Sequence, residues 1–165
     1  MYEKSILDKL TLSQIDSIIA VAKSPENRAQ DAMFSSKEDL EFKLGNARLI
    51  ISSDDKLISY FQGKKNDFER IKELIIENDN HTKGDTSAVE IPKNLKDDYK
   101  KLFISFVPTK DYDFKNCIEF VIGGIGDNVV GYVYIPTKKD LPQMSADHII
   151  MLREMGEGWY LYKTT

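Results

Sequence analysis

The pattern of the last third of the chain most constrains what it can fold into. Apolar and aromatic runs at Cys117 to Ile122, Val129 to Ile135, Ile149 to Met155 and Trp159 to Tyr162 alternate with turn-forming residues. Gly123-Gly124-Ile125-Gly126-Asp127-Asn128 and Gly156-Glu157-Gly158 supply the positive-φ residues that hairpins require. Pro136 closes the second run, and Pro142 marks a longer crossover. The spacing predicts a C-terminal antiparallel meander of four to five strands.

The first hundred residues read as helical and free of repeats. Thr11 and Gln14 form a T-x-x-Q capping pattern, and Leu12, Ile15, Ile18, Ile19 and Ala22 follow at helical spacing up to Ser24-Pro25. Ser35-Ser36-Lys37-Glu38-Asp39 is a second start signal. It opens a helix of roughly four turns marked by Leu40, Leu44, Ala47 and Ile51. A short amphipathic piece with Leu57, Ile58 and Phe61 runs to Gly63, and another from Asn66 carries Phe68, Ile71, Leu74 and Ile75. The glycine between them predicts a helical hairpin. Residues from about 78 to 88 are almost wholly polar and predict an exposed loop. Beyond it, Leu95, Tyr99, Leu102 and Phe103 keep helical spacing before the β-favouring Ile104 to Val107, so helix passes into strand near Leu102. The expectation is an α+β fold, with an N-terminal helical layer (about 1–101) packed on the C-terminal sheet (about 102–165). At 165 residues, a single domain 1–165 would bury roughly 70% of its unfolded surface.

Composition excludes several classes of function. A hydrophobic fraction of 41% with 30% charged residues is that of an ordinary globular chain, and no apolar run approaches the ~20 residues of a membrane span. The N-terminus lacks an apolar signal core, and the one cysteine, Cys117, fits a reducing compartment, so a cytoplasmic location is expected. A net charge of −4 repels a polyanion, which argues against nucleic acid and for a basic partner.

No constellation of residues names a chemistry. Gly123-Gly124-Ile125-Gly126 lacks the following helix that a phosphate loop needs and reads as a hairpin turn. His81 and His148 have no metal-ligand spacing around them, so neither metal nor cofactor is expected. Asp147 and His148 are adjacent at an expected strand start, where neighbours would point to opposite faces. Cys117 with His148 could pair as nucleophile and base, but Asn116-Cys117-Ile118-Glu119 offers no basic neighbour to lower the thiol pKa. Asp111, Asp113, Glu119, Asp127, Glu154 and Glu157 are carboxylates too numerous for proximity alone to be informative. The chain is therefore expected not to be an enzyme.

Tyr132 and Tyr134 share one strand face, as do Trp159 and Leu161, while Tyr160 and Tyr162 take the opposite one. One helix layer covers one sheet face, which predicts that some of these rings stay accessible as anchors for a partner. Ile122-Gly123-Gly124 through Asn128-Val129-Val130-Gly131-Tyr132, and Arg153-Glu154-Met155-Gly156-Glu157-Gly158-Trp159-Tyr160-Leu161-Tyr162, resemble the C-terminal ends of small bacterial immunity proteins of polymorphic and contact-dependent toxin systems. The resemblance spans about a quarter of the chain (by residue count). It implies a small, acidic, cytoplasmic α+β protein that occludes a basic toxin domain. The residues expected at such an interface, from their predicted exposure at turns and strand ends, are Asp111, Asp113, Asp127, Glu157 and Tyr160. The order of helices and sheet also resembles NTF2-like and cystatin-like cones, which implies a small-molecule pocket. Its expected lining is Tyr132, Tyr134, His148 and Trp159.

Overall fold

A computed structural model of the chain describes residues 36–81, 95–108, 114, 116–125 and 128–165. They form the helices α1 (Lys37–Ile50), α2 (Asp54–His81) and α3 (Lys96–Lys101), then the strands β1 (Ile118–Ile125), β2 (Asn128–Tyr134), β3 (Ile149–Gly156) and β4 (Trp159–Thr164). This is the α+β class, with helices first and a four-stranded antiparallel sheet after them. The chain divides into two compact units, Met1–Gly45 and Asn46–Thr165. The helix expected after Thr11 lies outside the described residues.

Within the first unit, Ser36 caps α1. Its Oγ accepts a hydrogen bond from the Asp39 amide at 3.1 Å, and its carbonyl accepts from the Leu40 amide. Glu38 and Asp39 lie in the first turn, where the helix dipole favours acids. The helix is 14 residues long, about the four turns expected.

In the second unit, α2 corrects the expected helical hairpin, because its 28 residues form one continuous helix through Gly63. Leu57, Phe61, Phe68 and Ile71 are fully buried and stay in helical phase across the glycine. A single helical glycine costs only about 1 kcal/mol, which is small beside burying Phe68 and Ile71 on the far side of it. The helix also runs to His81, so residues 78–81 of the expected loop are helical, while 82–88 lie outside the described residues.

The sheet order is β1-β2-β4-β3. It consists of two antiparallel hairpins side by side, with β4 inserted between β2 and β3. The connection from Ile135 to His148, which contains the short 3-10 turn Lys138–Asp140, carries the chain past the place of β4. Strands β1 and β2 pair out to Ile125 and Asn128. In the second hairpin Glu157 and Gly158 have φ of 54° and 82°, the positive pair that a two-residue type I′ loop requires. Beyond β1, Phe106 makes an isolated antiparallel bridge to Val121, all that Ile104 to Val107 contributes to the sheet.

A bulge interrupts the pairing of β1 and β2 between Val121 and Gly123. The intervening Ile122 carbonyl accepts hydrogen bonds from Asn46 Nδ2 and, at 2.6 Å, from Ser105 Oγ. Asn46 Nδ2 also reaches the Phe103 carbonyl at 2.9 Å, so one side chain ties the end of α1 to the bulge and to the segment after α3.

Candidate functional site

Side-chain alternation divides the sheet residues between two clusters. On the face under α2, Phe120, Ile122, Val130, Tyr132, Trp159 and Leu161 pack with Leu57, Phe61, Phe68 and Ile71. The rings interlock: Phe61 lies 5.1 Å from Tyr132 and 5.0 Å from Trp159, and Phe68 meets Phe120 edge-on at 5.8 Å. Tyr132 donates its hydroxyl to the Leu57 carbonyl at 2.8 Å. The opposite face holds Val133, Ile135, Ile149, Tyr160, Tyr162 and Phe114.

That second cluster overturns one expectation. Tyr160, predicted to be exposed for a partner, is only 5% accessible, and Trp159, Tyr132 and Tyr162 are fully buried. One helix layer does not leave the far face of the sheet open here, because Phe114 stacks edge-on against Tyr162 at 5.0 Å while Ile135 and Ile149 enclose Tyr160. Among the other residues expected at an interface, Glu157 is exposed at the second hairpin turn and paired with Lys65 at 2.7 Å. Asp111, Asp113 and Asp127 lie outside the described residues.

The four residues expected to line a cone do not converge. Tyr132, Tyr134 and Trp159 share the face under α2, with Tyr134 and Trp159 at 5.4 Å, and the space between them is occupied by rings of α2. His148 borders the other face. Its carbonyl accepts the Thr165 amide at 2.9 Å, which places it beside the end of β4.

There the outer face forms a concavity of about 250 Å³. Its buried members are Glu119, Val121, Phe114 and Tyr162, its exposed members Phe106 and His148, and Pro108, Val129 and Thr164 lie between. Glu119 is 7% accessible and accepts a hydrogen bond from the Tyr162 hydroxyl. This contact spans three strands. Gly131 of β2 stands opposite both Val121 of β1 and Tyr162 of β4, so the Tyr162 ring can lie flat across β2 and reach Glu119. The Val129 amide donates to Thr164 Oγ1 at 3.2 Å on the same side.

Sequence reading passed over Glu119 as one carboxylate among many. Its signal was phase: it lies two residues from both Cys117 and Val121, which places it on the same sheet face as they are. The site joins a buried carboxylate to aromatic and aliphatic walls. Among the described residues, no group of three or more His, Cys, Asp and Glu could hold a metal ion. No helix among them is long and apolar enough to cross a membrane. Compared with known proteins, the chain matches no family model, and no curated protein or solved structure matches it.

Proposed function

We propose that this chain is a non-catalytic protein-binding module of the cytoplasm: an immunity-type inhibitor that neutralises a basic bacterial toxin domain by covering its active site. The observation that carries the reading is the filled space between α2 and the sheet, where Phe61, Phe68, Phe120, Tyr132 and Trp159 leave the residues of a ligand-binding cone packed against one another. The net charge of −4 adds a long-range attraction for a basic partner and speeds encounter. The resemblance of the two C-terminal hairpins to immunity proteins points the same way. Inhibition is steric, with Asp111, Asp113, Asp127 and Glu157 presented to a basic cleft.

The test is capture on the tagged chain from lysate of its source cells at low and high salt, followed by co-expression of the captured protein. A stoichiometric basic partner that is toxic alone, harmless when co-expressed, and bound more weakly in high salt is the expected result. Recovery of the bait alone, while the candidate toxin is being expressed, would defeat the reading. Reversing the charges of Asp111 and Asp113 together is expected to slow association and flatten its salt dependence; an unchanged rate would remove that surface from the interface.

A further inference from the structure

We draw no further inference here: the strongest candidate, the concavity on the outer face of the sheet lined by Phe106, Phe114 and Val129, is an apolar hollow whose Glu119 carboxylate is already held by Tyr162, and nothing in the structure shows what covers it.

Discussion

A methyl group placed on Gly131 would lie 2.5 Å from the Phe120 carbonyl oxygen and 2.7 and 2.8 Å from the ring and hydroxyl of Tyr162. The first neighbour is backbone and cannot move aside alone, so Gly131→Ala must open the pairing of β1 with β2 or lift Tyr162 away from Glu119. Overpacking of this kind costs about 1–3 kcal/mol or more, to be read from the urea midpoint. Two further tyrosines make a matched pair. Tyr132 donates to the Leu57 carbonyl, so Tyr132→Phe should lose about 0.5–1.5 kcal/mol. The buried Tyr99 hydroxyl has no hydrogen-bond partner among the described residues, and burial pushes its pKa up to about 12. Tyr99→Phe removes a desolvated group without breaking a bond and should leave stability unchanged or higher. If the two substitutions cost the same, the contrast drawn between these hydroxyls is wrong.

Helix α2 shows where local sequence information ends. Gly63-Lys64-Lys65-Asn66 has the composition of a break, and by propensity alone a turn there is reasonable. What decides the matter is non-local: Leu57 and Phe61 on one side, and Phe68 and Ile71 on the other, meet the same sheet residues, and only a continuous helix holds all four in phase. A Cβ on Gly63 would meet nothing within 4 Å, and the position is exposed. Gly63→Ala should therefore stabilise the chain by about 0.4–1 kcal/mol, chiefly by restricting the unfolded state. A destabilised variant in thermal or urea unfolding would mean that the helix is broken at Gly63. The strands were legible because period-2 alternation and glycine turns are local signals, and the division of Trp159 and Leu161 from Tyr160 and Tyr162 follows from them directly. The insertion of β4 between β2 and β3 was not legible, since nothing in a 14-residue connection (Ile135 to His148) says on which side of its hairpin it returns. The burial of Tyr160 depends on Ile135 and Ile149, which come from the two ends of that same connection. The outer concavity needed Gly131, Glu119 and Tyr162 brought into register from three strands, so its parts were visible in the sequence and their meeting was not.

At the scale of the second unit as a whole, α2 is fastened to the sheet by polar contacts as well as by its apolar stripe. At its start Asp54 pairs with Lys163 at 2.5 Å and Asp55 with Arg153 at 3.2 Å. Further along, Trp159 Nε1 donates to Glu69 at 2.6 Å, and the mostly buried Lys72 bridges Glu69 at 2.5 Å and Glu73 at 2.9 Å while lying 4.4 Å from the Tyr134 ring centre. The first two pairs are solvated, and salt weakens them. The second group is built around the mostly buried Lys72 and sets a pH dependence. Burial pushes the Glu69 carboxyl up, but hydrogen bonds from Lys72 and Trp159, with the Lys72 and Lys65 charges, outweigh it and leave the group below its ordinary 4.5. Burial pulls the Lys72 ammonium down, but hydrogen bonds to Glu69 and Glu73 outweigh it and hold the group above its ordinary 10.5. A depressed carboxylate contributes stability above its unfolded pKa and loses it as pH falls through the folded value. A raised lysine contributes fully below its unfolded pKa and loses that contribution as pH rises through the folded value. Both contributions are therefore complete across the neutral range, with an acid limb beginning near 4.5 and an alkaline limb beginning near 10.5. Glu69→Gln keeps an acceptor for Trp159 and removes the titration, so urea midpoints measured against pH should show a lower plateau and a shallower acid limb than wild type. An acid limb of unchanged slope in Glu69→Gln would show that other carboxylates govern acid unfolding and that the Trp159–Glu69–Lys72 group is held by packing alone.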